Sequence, residues 1–83
     1  EHTSAVLHRL SRAAGHLNAV KKMVEEGRDC SEVLIQLSAV RAELANAGKV
    51  ILKDHIGHCV VRAVREQDEE SLRLLERAID SLL

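Results

Sequence analysis

Two cysteines and one histidine have side chains suited to binding a metal ion. His55 and Cys59 lie four residues apart in a stretch with helical periodicity, so both fall on one face about one turn apart. Together with Cys30 they would supply two thiolates and one imidazole, a soft three-donor set that favours Cu(I) over Zn. The alternative interpretation is that both cysteines are small buried hydrophobes and His55 is a hydrogen-bonded core histidine.

The distance along the chain decides how such a site could form. Cys30 precedes His55 by 25 residues, and in a continuous helix at about 1.5 Å per residue that separation is nearly 40 Å. One chain cannot close the site. Two chains with antiparallel second helices can, because each Cys30 then faces His55 and Cys59 of the other chain, which gives a symmetric dimer two equivalent sites.

Apolar residues at helical spacing predict the helices that would hold these residues. The first helix ends at Gly27, and the second begins after Asp29 as N-cap, or at Ser31, and continues toward Val64. Both stripes are spaced 4, 3, 4, 3, 4 and consist of Val6, Leu10, Ala13, Leu17, Val20 and Val24, then Val33, Leu37, Val40, Leu44, Ala47 and Ile51.

A shorter third helix is predicted after the polar break at Glu66–Asp68, with Leu72, Leu75, Ile79 and Leu82 as its apolar stripe. The expected fold is a single all-α domain over residues 1–83, a long antiparallel hairpin followed by a short C-terminal helix. The 83 residues include no Phe, Trp or Tyr. Because so short a chain buries too little surface to be stable alone, we expect an oligomer.

Composition excludes several classes of protein. The absence of Pro and the presence of only four Gly argue against a multi-stranded β fold. No apolar run reaches the roughly 18–20 residues of a membrane span, and no secretory signal is evident, so we expect a cytoplasmic protein with reduced thiols. Without a phosphate-binding loop, a paired-carboxylate site or a nucleophile motif, we expect no enzyme.

Charge is unevenly distributed although the net charge is −1. No Asp or Glu occurs between Glu1 and Glu25, whereas four cations lie there, Arg9, Arg12, Lys21 and Lys22. This pattern favours one basic face that binds an anionic partner. The alternative is that these are ordinary solvated helix faces.

Four segments of the sequence resemble the copper-sensing operon repressor family, which also includes nickel/cobalt, formaldehyde and persulfide sensors. They begin at Arg9 (RLSRAAGHL), Met23 (MVEEGRDC), Val33 (VLIQLSAV) and Asp54 (DHIGHCV). The Cys, the His 25 residues later and the Cys four residues after that match the copper-sensor ligand pattern. The nickel/cobalt branch has His where Cys59 stands, and the persulfide branch lacks the His at position 55.

The resemblance implies a three-helix protomer, an antiparallel dimer that pairs into a tetramer, and an apo form that binds operator DNA. Cu(I) binding would release the DNA and derepress copper efflux or detoxification genes. The residues that match the Cu(I) ligands are Cys30, His55 and Cys59. Arg9, Arg12 and Lys49 match basic positions associated with DNA, and Glu76 corresponds to an acid that supports the copper ligands.

The sequence departs from the copper-sensor pattern at two positions. Asp29 stands where the copper sensors usually have a Tyr, and Asn46 replaces another basic residue. The segment before Cys30 is similar to persulfide sensors, so a sensor of reactive sulfur that uses Cys30 and Cys59 is one alternative. A copper-binding helical protein that does not bind DNA is another.

The mode of DNA binding can also be predicted. No aromatic side chain is present to stack on bases, and no helix-turn-helix or zinc-finger signature occurs. Affinity should therefore come from phosphate contacts, and sequence preference from DNA shape. The predicted contact residues are Arg9, Arg12, Lys21, Lys22 and Lys49.

Overall fold

Three α-helices form the computed structural model, which describes residues 3–82 except for the side chains at positions 55–57 and 59. Helix α1 spans Thr3–Glu25, α2 spans Cys30–Glu66 and α3 spans Glu69–Leu82. The described residues include no strand, and the predicted all-α class is confirmed. No helix in that part of the chain is both long and apolar enough to cross a membrane.

Helices α1 and α2 form an elongated hairpin, and α3 packs on α2. The molecule measures 54 × 24 × 14 Å, its length set by the 37 residues of α2. The buried apolar residues are all alanine or valine, and all but Ala63 come from the predicted stripes; they are Ala13, Val20, Val40, Ala47 and Ala63. Small side chains let the helices approach closely, while the larger stripe residues stay partly exposed, including Leu17, Leu37 and Leu44 at 41–47%.

The loop between α1 and α2 is short because each helix end has its own capping residue. Gly27 adopts a positive φ of 71°, and the N–H groups of Gly27 and Arg28 donate to carbonyl oxygens of the last turn of α1. Asp29 caps α2, since its Oδ2 accepts from the Ser31 N–H at 3.1 Å and from the Ser31 hydroxyl at 2.6 Å. Hydrogen bonding from the Ser31 hydroxyl lowers the pKa of the Asp29 carboxyl.

A second tight junction separates α2 from α3. Gln67 adopts the left-handed conformation with φ 55°, and its N–H donates to the carbonyl oxygens of Ala63 and Val64. Asp68 then caps α3, because its carboxylate accepts from the Ser71 N–H at 3.1 Å and the Ser71 hydroxyl at 2.7 Å. These contacts turn the chain back so that α3 lies along α2.

Gly48 lies where the end of α3 packs against α2. A Cβ atom at position 48 would lie 2.5 Å from Cδ2 of Leu82, well inside van der Waals contact. Gly48 and Leu82 also line a small apolar pocket of about 250 Å³ between the two helices. The C-terminal end of α3 therefore packs against α2 at Gly48, where the absence of a side chain leaves room for Leu82.

Candidate functional site

Cys30 is the first residue of α2, and its thiol is exposed and not in a disulfide. The local sequence places it there because Gly27 ends the preceding turn and Asp29 caps the new helix. The thiol is thus available at one end of the 54 Å molecule. This placement differs from the alternative in which Cys30 is a small buried hydrophobe.

The other two predicted ligands lie near the opposite end of α2. The side chains of His55 and Cys59 are outside the described residues, but the backbone at both positions belongs to α2. At about 100° and 1.5 Å per residue, both positions lie within roughly 20° of the direction of Cys30 and about 38 Å or more along the axis. Because α2 is continuous, one chain does not bring the three residues together.

No group of three or more His, Cys, Asp or Glu in the described part of the chain is close enough to hold a metal ion. A closed metal site therefore requires ligands from a second chain or from the undescribed side chains. The residue types still fit a soft metal, since the free thiol at Cys30 and the Cys and His of the 55–59 turn are donors that Cu(I) prefers. The geometry of that site stays a prediction.

Glu76 lies on the exposed surface of α3, beside a shallow polar pocket that it shares with Arg73, Arg77 and Asp80. The described contacts include no hydrogen bond to its carboxylate. Its predicted role beside the metal ligands stays a prediction.

The five cations predicted to contact DNA are all exposed, but they do not share one face of the hairpin. Arg9 and Arg12 lie three residues apart on α1 and point in similar directions. Lys21 follows Arg12 by nine residues, which turns it to the opposite side of the helix by about 180°. Lys22 on α1 and Lys49 on α2 point away from the helix interface. Helical register thus singles out Arg9 and Arg12 as neighbours.

A hydrogen-bonded cluster that the sequence did not suggest connects α1 to α2 beside these arginines. Nδ1 of His16 lies 3.0 Å from Oε2 of Glu43, and Nε2 lies 2.8 Å from Oε1 of Gln36. The His16 side chain is 24% exposed. Gln36 and Glu43 lie seven residues apart, two helical turns on one face. That spacing was the available signal, but a sequence does not reveal which residue of another helix lies opposite.

Gln36 and Glu43 both affect the protonation of the His16 imidazole. Hydrogen bonds to Gln36 and then to Glu43 raise the pKa of the His16 imidazole, and the negative charge of Glu43 acts in the same direction. The second carboxylate oxygen of Glu43, Oε1, is shielded from solvent and accepts no hydrogen bond from the described residues. The cluster therefore favours a protonated, positively charged ring.

Two long flanks of the hairpin differ in character. We call one the polar flank, made of Arg9, Arg12 and His16 on α1 with Gln36 and Glu43 on α2. The other, the apolar flank, is an open groove that includes residues of all three helices, Leu17, Leu37, Leu44, Ser81 and Leu82. By register, Cys30 and positions 55 and 59 belong to the same side of α2 as the apolar flank.

Comparison with known proteins identifies the class of protein that has this fold. A family model described as metal-sensitive transcriptional repressor matches residues 2–81. Because the match covers nearly the whole sequence, this chain belongs to the metal-sensitive transcriptional repressor family.

Solved structures show the same fold in named members. The copper-sensing repressor CsoR with Cu(I) from Geobacillus thermodenitrificans is 40% identical with a TM-score of 0.83, and the match covers 98% of this chain and 85% of that one. The nickel-responsive regulator InrS is 44% identical with a TM-score of 0.77, covering 100% and 94%. The two relatives respond to different metals.

Similar proteins of known function belong to the same class of repressor. The copper-sensing transcriptional repressor CsoR of Bacillus subtilis is 38% identical over 65 residues, which are 78% of this chain and 64% of that protein. The copper-sensing transcriptional repressor RicR of Mycobacterium tuberculosis is 41% identical over 58 residues, 70% and 60% of the two chains. This chain thus spans about 60% of the length of these relatives.

Proposed function

We propose that this chain is a Cu(I)-responsive repressor whose apo form binds operator DNA in the cytoplasm, where thiols stay reduced. Cu(I) bound by Cys30 of one chain and by His55 and Cys59 of the partner subunit would release the DNA and derepress copper efflux or detoxification genes. The observation that carries the proposal is the unbroken α2, which begins at an exposed free Cys30 and separates it from positions 55 and 59. The copper-sensing relatives support the choice of metal.

A metal shared between chains explains why the site and the oligomer would depend on each other. Two antiparallel copies of α2 would bring each Cys30 opposite the other chain's 55–59 turn, so that a dimer carries two equivalent sites. We further propose that dimers pair into a tetramer that binds double-stranded DNA. The partly exposed leucines of the apolar flank would be covered by such contacts.

Anaerobic titration tests the ligand set. We expect one Cu(I) per protomer, with sulfur and nitrogen donors in X-ray absorption spectra. Cys30→Ala, His55→Ala and Cys59→Ala should each abolish tight binding, whereas His58→Ala should not, because by register position 58 is about 60° around the helix from position 55 and about 100° from position 59. Tight binding that survives all three substitutions would contradict the proposal.

A mixing experiment tests whether the site is shared between chains. Neither Cys30→Ala nor Cys59→Ala protein should bind Cu(I) tightly alone. A reassembled equal mixture should regain about a quarter of the sites, because half of randomly formed dimers are mixed and each contains one intact site. No recovery in reassembled mixed dimers would contradict a shared site.

The similarity to InrS and the exposed Cys30 thiol each favour testing a further signal besides Cu(I). Ni(II) should be tested beside Cu(I), since InrS is nickel-responsive and is 44% identical to this chain. A reactive-sulfur sensor is the second candidate: the Cys30 thiolate would attack a polysulfide, take one sulfane sulfur to become a persulfide, and release the polysulfide one sulfur shorter. The Cys59 thiol of the partner subunit would then attack it, forming a disulfide and releasing hydrogen sulfide. Interchain crosslinks that need both cysteines but not His55 would favour this candidate over copper.

DNA release is the functional readout for each signal. Apo protein should shift a duplex from the region upstream of its own gene at moderate salt, and one equivalent of Cu(I) per protomer should reverse the shift. Failure of the apo protein to bind that duplex would favour the copper-binding helical protein without a DNA function.

A further inference from the structure

The His16 cluster places an oxygen acceptor at each ring nitrogen. Glu43 presents a carboxylate oxygen to Nδ1 at 3.0 Å, and Gln36 presents its amide oxygen to Nε2 at 2.8 Å. A neutral imidazole carries one N–H and can satisfy only one of these acceptors, whereas an imidazolium donates to both. Deprotonation would force Gln36 to rotate its amide and offer its NH₂ group instead.

The position of the cluster links it to the basic residues of α1. His16 lies four residues after Arg12 and seven after Arg9, so the three side chains lie along the polar flank at intervals of about one turn. The partners of His16 are on α2, 20 and 27 residues away in sequence. The cluster thus connects α1, which carries the arginines, to α2, which carries the predicted metal ligands.

The charged groups around His16 are few. Arg9 and Arg12 lie on its own helix, and Glu43 is the acid that faces it from α2. Further along the same flank, toward the loop, Glu32 is paired with Arg28 at 2.9 Å. Helix α3 packs against α2 rather than α1, so Glu43 supplies the counter-charge to the ring.

We propose, building on the DNA-binding function proposed above, that His16, Gln36 and Glu43 form a proton-dependent positioning cluster that orients Arg9 and Arg12 for DNA. The protonated ring holds α1 against α2 with two hydrogen bonds, and the rotation of α1 about its axis sets where both guanidinium groups point. His16 acts through the arginines and is a positioning residue rather than a phosphate ligand.

The direction of the pH effect follows from the contacts. Gln36 and Glu43 raise the pKa of His16 in the folded protein, so the imidazolium form is fully present below the ordinary value of about 6.5 and is lost as pH rises through the higher, native value. DNA affinity should therefore decline over that interval, by a factor on the order of five if the coupling lies at the weak end of the usual range.

Removing the acid separates positioning from simple electrostatics. If only electrostatics acted, deleting a negative charge beside a DNA-binding face should tighten DNA binding, because it removes a repulsion from the phosphates. We expect the opposite for Glu43→Ala, an affinity several-fold weaker at pH 6 on the upstream duplex, with the salt dependence of binding unchanged. Glu66→Ala removes the same charge from the exposed end of α2 and is the matched control. Tighter binding by Glu43→Ala would overturn the proposal.

The pH profile provides a readout that a purely structural role would not change. His16→Gln keeps a hydrogen-bonding side chain but cannot titrate, so it should flatten the decline in affinity between pH 6 and pH 8. His8→Gln removes an exposed imidazole from the same helix and should leave the decline unaltered. An unchanged profile in His16→Gln contradicts the cluster, whereas wild-type protein that binds no DNA at pH 6 contradicts the proposed function.

A direct titration completes the test. In NMR spectra of the intact protein, the ring signals of His16 should titrate at higher pH than those of a histidine in a short unstructured peptide, and Glu43→Ala should reduce the difference. Circular dichroism confirms that each variant remains helical. A His16 ring that titrates together with the peptide histidine would overturn the proposal even if the variants fold normally.

Discussion

The two flanks of the helical hairpin use different interactions. On the polar flank, His16 reaches across to Gln36 and Glu43 with hydrogen bonds of 2.8 and 3.0 Å. On the apolar flank, large side chains such as Leu37 and Leu44 remain 43% and 47% exposed. The contacts of the polar flank are made within one chain, whereas the large side chains of the apolar flank remain partly exposed in the single chain. Under the proposed function, DNA would contact the polar flank and the metal would bind beside the apolar flank.

Cys30→Ala is expected to have the largest effect, and it tests whether the metal position can be removed without affecting DNA binding. Loss of a thiolate ligand should weaken Cu(I) binding by more than about 100-fold, because loss of groups that merely support a ligand already costs 10–100-fold. Apo-protein affinity for DNA should change little, since Cys30 lies at the loop end of α2 and away from Arg12. Competition with a Cu(I) chelator and a parallel gel shift measure both. A large loss of DNA affinity would show that the two flanks are not separate.

Gly48→Leu tests how α3 completes the apolar flank. A side chain at position 48 meets Leu82, and overpacking of this kind costs about 1–3 kcal/mol, which the gain in helix propensity over Gly offsets by up to about 0.8 kcal/mol. The expected result is a lower midpoint of thermal unfolding by several degrees, measured by circular dichroism. Gly15→Leu is the matched control, since a Cβ there has no neighbour within 4 Å, and this change should raise the midpoint slightly through helix propensity.

Features that depend on residues close in sequence were predictable, whereas contacts between different helices were not. The helix ends near Gly27 and at Asp29 were predictable because glycine and capping carboxylates act on the nearest turn. The continuous α2 confirmed the premise that Cys30 and His55 are too far apart for one chain. His16 was missed because its partners lie 20 and 27 residues away, and the seating of Leu82 on Gly48 depends on how α3 turns back.

Arg12→Ala tests the polar flank with a smaller expected effect. We expect specific and nonspecific DNA binding to weaken together, by about tenfold at moderate salt, and each lost phosphate contact to lower the log–log salt slope by about 0.9. Lys21→Ala is the informative comparison, because Lys21 lies on the opposite side of α1 and should have less effect. Equal losses in the two variants would show that DNA does not distinguish the flanks. Cu(I) affinity measured without DNA should stay the same in both.

The smallest expected effect concerns Asp29, which directly precedes Cys30 and caps α2. The hydrogen bond from the Ser31 hydroxyl lowers the pKa of Asp29 in the folded protein, so its stabilising contribution is present above the ordinary value of about 3.9 and is lost as pH falls through the lower, native value. Asp29→Ala should lower the thermal midpoint at pH 7. Asp29→Asn retains a capping oxygen without a titrating charge, and it should lie close to wild type at pH 7 and lose less stability between pH 5 and pH 2. Thermal scans across that range measure the difference, and an identical acid profile in the wild type and Asp29→Asn would show that the cap does not depend on the charge. An unchanged Cu(I) affinity in Asp29→Asn would also show that the residue serves the helix end rather than the metal.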